Sequence, residues 1–227
     1  IADLAGLTHL DLGRNALNGT IPNLTGNAAL EIVRLNDNSL SGTIPTGLDT
    51  LSALRVVDLD TNWLTGGIPT TLVASASIDY LDLSHNDLGG SIPAGIGSMS
   101  SLVTLDLQGN ELVGGIPAGI GTLVNLQHLN LASNQLAGTI PASFATLTSL
   151  RTVRLYDNAL SGSIASGLSA LTQIELFAVH NNALSGSVPA TLSAWTNLRW
   201  WSSQGNPSLG APPAAVTALP LIEVALW

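Results

Sequence analysis

Hydrophobic residues return along this chain in one fixed order. The stretch from Leu81 to Pro93 reads LDLSHNDLGGSIP, and the same alternation stands at Leu10 (LDLGRNALNGTIP), Val33 (VRLNDNSLSGTIP), Val57 (VDLDTNWLTGGIP), Leu105 (LDLQGNELVGGIP) and Leu129 (LNLASNQLAGTIP). VRLYDNALSGSIA from Val153 and FAVHNNALSGSVP from Phe177 follow it more loosely. The Asn of the frame falls at Asn15, Asn38, Asn62, Asn86, Asn110, Asn134, Asn158, Asn182 and Asn206, a step of 24 residues after a first step of 23.

Each position predicts a piece of one coil. The L-x-x-L-x-L alternation predicts a short strand with one side in a core and the other in solvent. One coil cannot bury its own apolar side, so the coils must stack and share an interior. The Asn that closes the strand is expected to be buried in a turn, its amide satisfying backbone groups of its own coil and the next. Without partners that amide would cost roughly 1–3 kcal/mol. The Gly four residues later permits a bend, Ile-Pro starts an extended segment, and leucines such as Leu48, Leu51 and Leu54 fill the back. Nine such coils make residues 1–227 a single domain. The coil from about 199 to 227 is irregular: Ser203 stands where a core leucine is expected, and Ala211 to Pro213 replace the Gly-x-Ile-Pro bend. Trp195, Trp200, Trp201 and Trp227 are predicted to seal that end, with a ligand-binding aromatic patch as the alternative, and a last strand is expected from Leu221 to Trp227.

The frame L-x-x-L-x-L-x-x-N-x-L-S-G-x-I-P resembles the plant-type leucine-rich repeat over about residues 4–227. Its N-x-L-x-G-x-I-P core is intact in coils one to six and, with Val for Ile, in coil eight. The resemblance implies an α/β solenoid, a right-handed curved stack of about nine 24-residue repeats with a parallel sheet on its concave side. In receptor-like kinase ectodomains and polygalacturonase-inhibiting proteins, that side or its flank binds peptides, hormones, co-receptors or enzymes. The cysteine-containing end caps usual in those proteins have no counterpart here, and the sequence starts inside a coil. It is expected to be a fragment of a longer chain or a relative capped in another way.

Composition narrows the function. Hydrophobic residues make up 45% and charged residues 9%, which predicts a chain folded throughout. A net charge of −9, with six Arg and no Lys, lacks the basic footprint that nucleic acid requires. The uncharged run between Glu111 and Arg151 is broken by polar residues and by Pro117 and Pro141, so no bilayer-spanning helix is expected. Without Cys there is neither a disulfide nor a thiolate site, and the Gly-rich bends lack the Lys of a phosphate loop. No cofactor is implied.

Function should therefore be written on the concave face, at the positions six, four, two and one before the frame's Asn. These columns collect all four His, both Tyr and three of the six Arg. The candidate ligand-binding residues are Tyr80, Asp82, His85, Asp106, His128, Arg154, Tyr156, His180 and Trp200, facing a protein, peptide or glycan. Asp58, Asp82 and Asp106 sit on successive strands with Asp60 beside them, about 4.8 Å apart, so something must offset their repulsion. Solvent with Arg34, a basic group on a ligand, or a bound Ca²⁺ would each do so. Asp82, Ser84 and His85 supply the letters of a hydrolase, yet their slots are surface variables of the repeat, and no G-x-S-x-G elbow exists. No enzyme is expected.

The sequons at Asn18 and Asn23 point to a glycosylated, secreted or cell-surface protein. Two other functions remain open. The column Thr20, Thr43, Gly67, Ser91, Gly115, Thr139, Ser163 and Ser187, small and evenly spaced, would suit an ice-binding surface, an activity that some cold-tolerant plant proteins of this repeat type have. A wall or adhesion spacer needs no binding face at all.

Overall fold

A computed structural model describes residues 4–219 together with the backbone of Glu223–Val224. The predicted strands form one parallel sheet of ten, running in chain order from His9–Asp11 to Glu223–Val224. Each of its regular strands is three residues long, with the middle residue buried and its neighbours facing out, as in Ile32–Arg34 and Thr152–Arg154. Residues pair with their equivalents one coil on, Val56 with Tyr80 and Tyr80 with Thr104. The step is 24 residues inside the stack and 23 at both ends, where His9 pairs with Ile32 and Trp200 with Glu223.

The opposite wall contains what the hydrophobic pattern did not show. Where a simple bend was expected, a second parallel ladder forms, in one group of four strands (Asn18–Thr20 to Asp87–Leu88) and one of five (Val113–Gly115 to Ser208–Leu209). Its glycines, such as Gly42 at φ 78° and Gly138 at φ 78°, turn the chain in the left-handed region that side chains disfavour. The convex layer consists of short 3₁₀ helices, Ala94–Ser98 and Ala118–Thr122 among them, and the described residues include one α-helix, Ala214–Thr217. Pro93, Pro117, Pro141 and Pro189 stand immediately before four of these 3₁₀ turns, with φ between −59° and −64°.

Between these layers lies one continuous core of Leu, Ile and Val. The Asn ladder runs beside it. Asn86 donates to the carbonyls of Leu83, Ser84 and, in the preceding coil, Leu59, and its Oδ1 accepts from the amide of Leu64. The same four bonds recur at Asn62, Asn110, Asn134, Asn158, Asn182 and Asn206.

Two of the C-terminal tryptophans do fill the stack. Trp195 and Trp201 are buried, packed with Phe177 at ring-centroid distances of 5.1 and 5.4 Å. Ser203, out of place in the frame, accepts the Trp201 indole N–H at 2.9 Å. Trp200 points to the inner face instead and is 39% exposed. Trp227 and most of the expected last strand lie outside the described residues.

Candidate functional site

The inner sheet sets its outward side chains in rows across the coils. Along the fourth position before the ladder Asn, a carboxylate or amide oxygen accepts the backbone amide two residues on. Asp11 takes Gly13, Asp58 takes Asp60, Asp82 takes Ser84, Asp106 takes Gln108 and Asn130 takes Ala132, at 2.9–3.4 Å. This is the local turn that Asp and Asn form readily, so part of the acidic column serves the backbone.

The remaining repulsion is offset in part by hydrogen bonds and shows in raised carboxyl pKa values. Tyr80 donates its hydroxyl to Asp82 Oδ2 at 3.1 Å, and Ser84 Oγ lies 2.6 Å from Asp82 and 3.0 Å from Asp60. Burial, reinforced by the Asp82 charge, pushes the Asp58 carboxyl from 3.8 up to about 6. Burial likewise raises Asp106, against the pull of the Gln108 amide, and raises the Tyr80 phenol. The expected neighbour Arg34 reaches Asp11 at 3.8 Å and opposes the shift at Asp58 as the weakest of its causes. The candidate Ca²⁺ set of Asp58, Asp60, Asp82 and Asp106 does not converge: among the described residues no three His, Asp or Glu side chains are arranged to hold a metal ion.

Toward the C-terminal coils the face changes character. His128 Nδ1 lies 3.0 Å from Thr152 Oγ1, and His180 Nδ1 lies 2.8 Å from Ser202 Oγ. Burial lowers both imidazoles from their ordinary value, helped at His128 by Arg154. Tyr156 and His180 stack at 4.5 Å with their planes 7° apart. Arg154 forms no ion pair among the described residues. Tyr80, Asp82, Asp106, His128, Arg154 and Trp200 thus stand on one sheet with Tyr156 and His180 just beyond its strand ends, acidic toward one end, aromatic and cationic toward the other.

His85 stands apart from them. It has φ 52° and lines an outer recess of about 310 Å³ with Trp63 and Asp87. It makes no hydrogen bond to Ser84 or Asp82, so the three hydrolase-like residues are not assembled into a relay. The sequence reading missed a further row, seven before the ladder Asn. There Arg55 meets Asp79 with Nε at 2.9 Å, and Arg151 meets Glu175 at 2.7 Å. Charge alternation at a 24-residue step was the available signal. A shallow recess of about 370 Å³ also opens among Asp11, Arg14, Arg34 and Asp58. Asn18 and Asn23 are exposed.

Comparison with known proteins follows this geometry. A family profile described as "Leucine-rich repeat region" matches residues 41–198, and one described as "Leucine Rich Repeat" matches 6–28 and 29–51. No curated protein sequence gives a significant match. The LRR ectodomain of the membrane receptor kinase GASSHO1/SCHENGEN3 from Arabidopsis thaliana, in complex with CASPARIAN STRIP INTEGRITY FACTOR 2, superimposes with a TM-score of 0.95 at 29% identity. It covers 99% of this chain, which spans 27% of the receptor chain. The plant peptide hormone receptor RGFR1 in complex with RGF2 gives 0.92 at 32% identity, covering 99% of this chain and 36% of its own. A plant ice-binding protein gives 0.79 at 24% identity, covering 99% and 78%. The matched repeats, the ten-stranded inner sheet and the Asn ladder agree: this chain belongs to the leucine-rich repeat family and is similar to plant receptor-kinase ectodomains.

Proposed function

We propose that this chain is an extracellular, non-enzymatic recognition module whose inner sheet holds an extended peptide segment. The observation that carries the reading is the graded row on that sheet, from the carboxylates Asp58, Asp82 and Asp106 to the Tyr156–His180 stack and the part-exposed Trp200. Large aromatic rings and an unpaired Arg154 beside them are the side chains that anchor interfaces. RGFR1 is a peptide hormone receptor and the GASSHO1/SCHENGEN3 ectodomain is in complex with CASPARIAN STRIP INTEGRITY FACTOR 2, which supports carrying a ligand-binding role to this chain. From Asp58 to Trp200 the row crosses six strand steps, about 29 Å, which an extended peptide of about nine residues would span. Such a ligand would place basic residues over the carboxylates and an apolar or aromatic residue at the stack. Glycans on Asn18 and Asn23 would leave this face open.

Selection from a displayed peptide library on the immobilised chain tests the idea. Enriched peptides should carry Lys or Arg toward one end, and Tyr156→Ala with His180→Ala should weaken their binding at least about tenfold, or about 1.4 kcal/mol. Enrichment of sequences indifferent to both substitutions would refute the reading.

A second reading attaches to the outer ladder, where Thr20, Thr43, Ser91, Thr139, Ser163 and Ser187 are all exposed. Similarity to the ice-binding protein supports the fold alone at its level of identity. Gly67 and Gly115 interrupt the row, and Trp63, Asp87 and Glu111 project from the same wall. Thermal hysteresis of the purified chain distinguishes this reading, and a pure spacer would show neither activity.

A further inference from the structure

The outer wall carries one residue that the repeat does not ask for. At the position just after the ladder Asn the coils place Ala16, Ser39, Asp87, Glu111, Gln135, Ala159 and Ala183, and at the third coil Trp63. Trp63 is 61% exposed, the most exposed large hydrophobic residue among the described residues, and it adds nothing to the core. A single exposed apolar side chain needs no explanation by itself, so what singles out Trp63 is the recess it lines and the polar groups around it.

The surroundings of Trp63 supply the rest. Asn38, Ser39, Thr61, His85 and Asp87 line the recess of about 310 Å³ around it. The Trp63 indole N–H, the Ser39 hydroxyl, the His85 imidazole and the Asp87 carboxylate have no hydrogen-bond or ion-pair partner among the described residues. One flat apolar ring is therefore rimmed by donors and acceptors that the fold has not used. The recess is at the small end of the range for ligand sites, the size of one or two sugar rings rather than a folded partner.

We infer that this recess is a carbohydrate subsite for a neutral pyranose unit. A pyranose presents an apolar face of axial C–H groups and an equatorial rim of hydroxyls. The face stacks on the Trp63 ring, the carboxylate of Asp87 accepts two neighbouring hydroxyls, and the Ser39 hydroxyl and the His85 imidazole complete the rim. Uronic acids and sugar phosphates are turned away by Asp87 and by the chain's net charge of −9. The site lies on the outer wall, so it is independent of the peptide-binding reading and leaves the inner sheet free.

Calorimetry and tryptophan fluorescence with cellotetraose, xylotetraose, mannotetraose and chitotetraose, with tetragalacturonate as the acidic control, decide the matter. At least one neutral oligosaccharide should bind saturably in the millimolar range or tighter. Trp63→Ala should weaken it at least about tenfold and Trp63→Phe less. Asp87→Asn should weaken it several-fold, while Tyr156→Ala and His180→Ala leave it unchanged. An unaltered melting temperature for Trp63→Ala shows that the loss is not unfolding. The inference is overturned if no neutral oligosaccharide binds, if binding survives Trp63→Ala, or if tetragalacturonate binds better than the neutral series. Loss of a protein partner in Trp63→Ala without any saccharide binding would likewise overturn it.

Discussion

Thr61 shows how much a single backbone angle asks of its residue. It holds φ 51°, as do the equivalents Arg14, Asp37, His85, Ser133, Asp157 and Asn181 at φ 52–57°, while Gly109 and Gly205 fill the same slot at 64° and 68°. A β-branched residue is the least suited to this region. Thr61→Asn should stabilise the chain by about 0.5–1 kcal/mol in chemical denaturation, since Asn tolerates that geometry. Gly205→Val should destabilise it by roughly 2 kcal/mol, because a β-carbon there would collide with Asn181 Oδ1 in a left-handed backbone. The left-handed slot was partly legible: Asn, Asp and Gly fill five of nine positions, but Arg14, Thr61, His85 and Ser133 disguise it as free surface. The same holds a few residues earlier, where Asp58, Asp82 and Asp106, which with Asp60 looked like ligands for a cation, prove also to be turn formers, as does Asp11. Asp58 has a pH signature. Its folded pKa lies above the unfolded value, so between about pH 4 and 6 the folded chain binds more protons, and stability falls as pH rises through that window. Asp58→Asn, which keeps the accepting oxygen, should match the parent at low pH and be the more stable above pH 7 when melting is followed across the range. His128 and His180 tilt the other way: lowered in the fold, they cost stability as pH drops below their ordinary value of 6.5.

Among elements, the Asn ladder decides whether coils hold together. Asn86→Ala removes four hydrogen bonds and leaves the buried Leu64 amide without a partner, while the carbonyls of Leu59, Leu83 and Ser84 keep one bond each, for an expected loss of about 2–3 kcal/mol by urea denaturation. Asn15 makes two bonds, to Leu12 and Gly13, at the exposed end, and its replacement by Ala should cost less than about 1 kcal/mol. The inner strands and this ladder were readable because alternation and burial repeat nine times. The outer ladder was not, because its left-handed Gly residues, Gly42 and Gly66 among them, signal a turn while the flanking residues still pair across coils. The convex 3₁₀ turns are too short for a helical period to register. At the C-terminal end, Trp195 and Trp201 were legible as a plug, and Trp200 separates from them because the strand alternation sends it to the other face.

The whole molecule presents two faces with different chemistry, and they were not equally visible in advance. The inner face could be read from the columns because side-chain direction follows from strand period alone. The recess around Trp63 could not, since its members come from three coils and both sides of the ladder Asn. Arg55–Asp79 and Arg151–Glu175 tie neighbouring coils on the flank, yet these exposed pairs contribute little beside the shared core. Every strand pairing among the described residues joins positions 21 to 24 apart, so the chain has no long-range closure to satisfy. The in-register step of 24 makes each coil a cassette. Inserting or removing one whole cassette would shift everything beyond it by a single strand spacing and leave every interface intact, as the 23-residue steps at the two ends already show the frame absorbing one missing residue. A molecule of this kind can lengthen its reading surface the way a ruler gains a division, without redesigning what lies beneath.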